Sequence, residues 1–85
     1  MNTSTFKLNV LLKRTQLIIH RLEKLSPDST WAHSASGYRG ALIRVRDRID
    51  NQPPADNLET LTNQLMHLND VSFDLLVEAG IELIN

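Results

Sequence analysis

The side chains best suited to chemistry are three histidines, His20, His33 and His67, and ten carboxylates. A metal site legible in local sequence needs its ligands one helical turn apart or paired across a short loop. These histidines lie 13 and 34 residues apart, and no Glu-x-x-His pair occurs. The nearest approach to such a motif is His67 with Asp70, a spacing common by chance. Nucleophilic catalysis finds no better footing. Ser26 and Ser29 flank a proline at an expected helix start, Ser34 and Ser36 lie in a run of small residues, and no serine stands in a Gly-x-Ser-x-Gly elbow. Asp70, Asp74, Glu78 and Glu82 recur every four residues. On a helix that spacing makes a surface row, whereas acid–base catalysis needs carboxylates converging on a pocket. The expectation is a non-enzymatic protein with no catalytic residue, metal or cofactor.

Charge is the second chemical resource, and it is segregated along the chain. All nine lysines and arginines fall at or before Arg48, with three acidic residues among them, for a net of +6. From Ile49 onward there are seven acidic residues and no basic one, a net of −7, so the overall −1 conceals two opposed halves. Lys7, Arg14 and Arg21 recur every seven residues along one helix edge. Arg39, Arg44, Arg46 and Arg48 crowd the end of a second helix, where cations also complement the helix dipole. Together they form a candidate contact surface for phosphates or for an acidic partner. Against nucleic acid stand the slightly negative total and the scarcity of aromatic residues outside the expected core. The acidic row, Asp70, Asp74, Glu78 and Glu82, is the other candidate partner for the arginines, within the chain or across to a neighbour. Like charges four apart on a helix repel by a few tenths of a kcal/mol per pair, so a basic surface alongside would relieve them.

Interaction surfaces are the remaining resource. Small residues recur four apart as Ala32, Ser36, Gly40 and as His33, Gly37, Ala41, two smooth strips that would let another helix approach closely. Each glycine costs about 1 kcal/mol in a helix relative to alanine, which close packing would offset. Gly40 is accordingly expected against another helix. Val10 and Leu17 fall on the far side of the first apolar seam. Between Val71 and Ile84 apolar residues point in every direction, Phe73, Val77, Ile81 and Ile84 among them. A helix apolar all round is normally covered on more than one side.

The elements that position these residues follow from periodicity. Apolar or small residues recur in steps of three and four as Leu8, Leu11, Thr15, Ile18, Leu22, Leu25. The pattern resumes as Trp31, Ala35, Tyr38, Leu42, Val45, Ile49 and again as Leu58, Leu61, Leu65, Leu68, Ser72, Leu75, Ala79. That is the seam of helices packed side by side. Ser26-Pro27-Asp28 reads as a helix cap, first turn and dipole partner. Asn51-Gln52-Pro53-Pro54 stops a helix, and Asp56-x-x-Glu59 reads as a capping box opening the next. The spacing predicts an all-α antiparallel bundle of three long helices at about 5–25, 27–50 and 57–84. A break near Asn69-Asp70 is the alternative, giving four. The expected core is Leu11, Ile18, Leu22, Trp31, Tyr38, Leu42, Val45, Ile49, Leu61, Leu65, Leu68 and Leu75.

Eighty-five residues form one domain, 1–85, which buries about 60–65% of its unfolded surface. There are no cysteines, so stability must come from helix packing or oligomerisation. No apolar run approaches the roughly 18 residues that suggest a membrane span, and no signal peptide is legible. A cytoplasmic location is the default. The functional expectation is a small helical assembly or adaptor module acting through protein–protein contact, with self-association. The alternative is an accessory nucleic-acid-binding protein using the basic edge of the first two helices.

Overall fold

A computed structural model describes the backbone of residues 3–84 and the side chains of residues 7–80. Three helices follow in chain order: α1 (Thr3–Glu23), α2 (Ala32–Asp50) and α3 (Ala55–Ile84). Short connections make neighbours antiparallel, so α1 and α3 run parallel to each other with α2 against both. The resulting rod measures 44 × 20 × 16 Å. At about 1.5 Å per residue α3, nine residues longer than α1, exceeds it by roughly 13 Å.

The seam positions form the centre. Ile18, Ile19, Leu22, Ala35, Leu42, Val45, Ile49, Leu61, Leu65, Leu75 and Ala79 are buried, with Leu42 and Leu65 fully enclosed. Eight of the twelve expected core residues are in this group. The other four, Leu11, Trp31, Tyr38 and Leu68, pack against it half-buried. Ile19, one position past the seam residue Ile18, is part of the core as well.

Two helix starts differ from expectation. Ser26-Pro27-Asp28-Ser29 forms successive turns, and α2 opens at Ala32 with Trp31 at its cap. Serine hydroxyls cause this by accepting the backbone N–H two residues on: Ser26 Oγ takes that of Asp28 at 3.3 Å and Ser29 Oγ that of Trp31 at 3.1 Å. Such local bonds offer the backbone an alternative to the helix ladder. At the second junction the Leu58 N–H donates to the Pro54 carbonyl at 2.9 Å. Helix α3 therefore begins a residue or two early, and Asp56 sits in its first turn as a dipole partner instead of serving as the cap. Between α2 and α3, Gln52 adopts φ 56°, the left-handed conformation that ends helices and that favours glycine.

The third segment does not break. Asn69 is 1% exposed and lies inside a continuous α3. Its Nδ2 donates to Thr15 Oγ1 at 2.9 Å and to the Leu65 carbonyl at 2.8 Å, while Thr15 Oγ1 donates to the Leu11 carbonyl at 2.8 Å. A residue with turn propensity is held in helix because its amide cross-links α3 to α1. The bond also fixes which levels of the two helices face each other. The layer is not fully satisfied, since Asn69 Oδ1 and Ser72 Oγ have no partner.

Candidate interaction surface

Large apolar side chains left on the surface are Val10, Leu17, Met66, Phe73 and Val77, each about half exposed, between 48% and 53%. All five line one side of the molecule, the groove where α1 and α3 run in parallel. Its first part, an open recess of about 380 Å³, is formed by Lys7, Leu8, Val10, Leu11, Arg14, Thr62 and Met66. Its second, of about 410 Å³, is formed by Arg14, Leu17, Ile18, Arg21, Phe73, Leu76 and Val77. The seven-residue repeat that places Lys7, Arg14 and Arg21 on one edge of α1 carries them along this groove, and their aliphatic stems help line it. Val10 and Leu17 belong to the same face, three residues beyond Lys7 and Arg14.

On α3 the order is set by the helical turn. Asn69 and Leu76 point toward α1. Phe73, Met66 and Val77 come next, and Asp70 and Asp74 lie roughly 60–100° further round from Phe73. Asp70, Asp74 and Glu78 are exposed. On α1 the cations stand nearer α3, and Val10 and Leu17 lie roughly 20–80° further round, outside them. The face thus carries Val10 and Leu17 and then the cations on α1, and Phe73, Met66 and Val77 and then the carboxylates on α3.

Among the described residues the charges on this face make no ion pair with one another. Among the described residues the ion pairs are Arg39 with Glu23, at 3.6 Å, and Arg46 with its neighbour Asp47, at 3.3 Å. Arg46 also donates to Gln16 Oε1 at 2.7 Å. Of the two alternatives for the acidic row, pairing of Asp70, Asp74 and Glu78 with Arg39, Arg44, Arg46 and Arg48 within the chain is therefore not made. Arg39 and Arg46 turn toward α1 from α2. Arg48 lines the groove between α2 and α3 with Asn51, Pro53, Asn57, Thr60, Leu61 and Gln64. Arg44 is exposed, one turn along from Gly40. The cations read as one basic edge thus divide between two sides of α1: Lys7, Arg14 and Arg21 face α3, whereas Arg39 and Arg46 reach α1 from α2.

The small-residue strips occupy another part of the surface. A Cβ built on Gly37 would meet nothing within 4 Å, and one on Gly40 would meet only Arg44 Nη1, at 3.4 Å. Among the described residues no other helix of the chain lies against Gly40, so close packing within the chain is not made there; the seam turns Ala35, Leu42 and Val45 inward and leaves Gly40 half-buried beside it. Ser36 and Gly37 are exposed, apart from the apolar groove. Ser36 instead borders an open recess of about 640 Å³ at the α1–α2 junction, with Ala32, His33 and Arg39. The side chains of Ile81, Glu82 and Ile84 lie outside the described residues.

Met66 is the surface residue that periodicity missed. It falls one position outside the third seam, in register with Phe73 seven residues on, and that offset was its available signal. Among the described residues no three histidine, aspartate or glutamate side chains come together as metal ligands, and no helix is long and apolar enough to cross a membrane. Compared with known protein families, curated proteins and solved structures, the chain matches none.

Proposed function

We propose that this chain is a non-enzymatic helical assembly module of the cytoplasm, acting through protein–protein contact and associating with itself. The observation that carries this reading is the alignment of Val10, Leu17, Met66, Phe73 and Val77 on one α1–α3 face. Scattered apolar residues on a surface need no explanation, but five gathered on one face and interspersed with charge have the usual character of a contact surface. The charges on this face support the same reading, because they add orientation and partner choice to an apolar contact.

A second reading, an accessory nucleic-acid-binding protein, draws on the same unpaired cations, Lys7, Arg14 and Arg21. Their separation from Arg39 and Arg46, and the acidic row on the adjoining edge, weigh against a continuous phosphate-binding track. Size-exclusion chromatography with light scattering, with and without short RNA and DNA duplexes, separates the two. The assembly reading expects a mass above that of one chain without nucleic acid and weak, salt-sensitive binding to either duplex. Tight binding with a steep salt slope, by a protein otherwise monomeric, would replace it with the second reading.

A further inference from the structure

We infer that the α1–α3 face pairs with the same face of a second copy of this chain, about a twofold axis parallel to the bundle. The inference rests on the self-association just proposed and adds to it the surface, the symmetry and the contacts.

The choice of a second copy follows from charge. One half of the face is cationic, through Lys7, Arg14 and Arg21. The other half is edged by Asp70, Asp74 and Glu78, and no ion pair joins the two within the chain. A closed pair of identical faces must be related by a twofold axis. An axis across the helices would lay cation on cation and carboxylate on carboxylate. An axis along the helices exchanges the halves, so that each α1 lies over the partner's α3 and the cationic edge meets the acidic one. That operation also preserves height along the rod. The Thr15–Asn69 bond defines the common level. At about 1.5 Å per residue Arg14 and Asp70 are then within roughly 3 Å of one height. Arg21 stands roughly 9 Å beyond that level, between Asp74 at about 7.5 Å and Glu78 at about 13.5 Å. Arg14 thus faces the partner's Asp70, and Arg21 falls between the partner's Asp74 and the partner's Glu78. Phe73, Met66 and Val77 close beside these charges, and Leu17 and Val10 lie toward the outer edge of the contact.

The available area suits such a contact. The side shared by α1 and α3 is about as long as α1, roughly 31 Å at about 1.5 Å per residue, and 16–20 Å wide. It offers on the order of 500–630 Å², close to the roughly 600 Å² per partner at which specific interfaces begin. An anionic membrane or nucleic acid would use the cationic half and be repelled by the acidic one. A second copy uses both.

The test is a charge swap read by analytical ultracentrifugation. Arg14→Glu with Arg21→Glu, and separately Asp70→Arg with Asp74→Arg, should each weaken dimerisation about tenfold or more, by placing like charges opposite each other. All four substitutions together restore opposite charges across the axis and should recover most of the affinity. Circular dichroism melts report whether each variant still folds, and Leu17→Asp, on the exposed row, gives an independent disruption of the apolar contact. If the wild type dimerises but neither reversal weakens it, or the fourfold variant fails to recover while melting normally, the face or the axis is wrong and self-association stands. A wild type that remains monomeric up to about 100 μM, where interfaces of this size normally form, would overturn both.

Discussion

Replacing Asn69 by leucine tests whether the buried polar layer stabilises the bundle or only orders it. The side chain is 1% exposed, and its carbonyl Oδ1 has no partner. A buried acceptor left unpaired costs about 1–3 kcal/mol. Leucine is close in shape, removes that acceptor and leaves no new orphan. Thr15 Oγ1 keeps its bond to the Leu11 carbonyl, and the Leu65 carbonyl keeps the backbone N–H of residue 69. Against the gain stand two hydrogen bonds from Nδ2, each worth about 1 kcal/mol net or less in this exchange. The balance predicts a variant as stable as the parent or more stable by about 1 kcal/mol, a rise of roughly 4–8 °C in Tm at this size. Asn69→Ala loses the same bonds and leaves a void, so it should fall by about 1–3 kcal/mol. Urea unfolding followed through Trp31 fluorescence gives both values, and Trp31 is the sole tryptophan. Dispersion of amide resonances reports whether the leucine variant keeps a single α1–α3 register, which the Asn69–Thr15 bond specifies. A loss above about 1 kcal/mol for Asn69→Leu would refute the reasoning and make the polar layer a net source of stability.

Leu65→Ala and Leu42→Ala each empty a fully enclosed site and should cost about 2–5 kcal/mol, measurable by urea titration and large against the roughly 4–13 kcal/mol expected for such a domain. Gln52→Gly relieves a positive φ and should raise stability by about 0.5–1 kcal/mol in thermal melts, whereas Gln52→Val at the same place should lower it. Gly37→Ala meets open space inside α2 and should stabilise by about 0.5–1 kcal/mol, again read by melting, with no change in sedimentation.

The fold was legible wherever the three-and-four spacing extended over several turns. All three helices and the central residues Leu42, Val45, Ile49, Leu61 and Leu65 follow from that spacing, because a helix must bury its apolar stripe. The helix starts were less legible, since serine beside proline suits a cap and a turn equally well. The choice fell to the Ser26 and Ser29 hydroxyls, whose bonds depend on the path of the chain between helices. Asn69 was ambiguous for a different reason. Its turn propensity is local, and Thr15, the partner that overrides it, lies 54 residues away. The candidate surface was half legible. Val10, Leu17, Phe73 and Val77 stood out as apolar residues off the seam, but separating them from Ser36, Gly37 and Gly40 needed three-dimensional adjacency that spacing along one helix does not contain. The same limit applied to the cations: a repeat of seven places Lys7, Arg14 and Arg21 on one edge of α1 without saying which helix that edge faces.

The energetic balance of the α1–α3 face explains why its charges matter as much as its apolar row. Five side chains, each about half exposed, have roughly 1 kcal/mol apiece still to gain from complete burial. Roughly 5 kcal/mol in all is no more than the low end of the 4–15 kcal/mol that association costs in lost freedom. The apolar row alone would hold two chains together weakly and in many orientations. The acidic row adds a cost of its own, since Asp70, Asp74 and Glu78 repel one another along α3 with no cation of the chain beside them. Arranging the cations of the chain's first half against the acids of its second removes that repulsion and selects one orientation in the same step. Within one chain, the parallel course of α1 and α3 puts the two rows side by side on a single face without bringing them into contact. In the proposed pair of chains, that course would bring them face to face. The division of the sequence at Arg48 into a basic part and an acidic part thus acquires a physical consequence: each half carries what the other half of a second copy lacks.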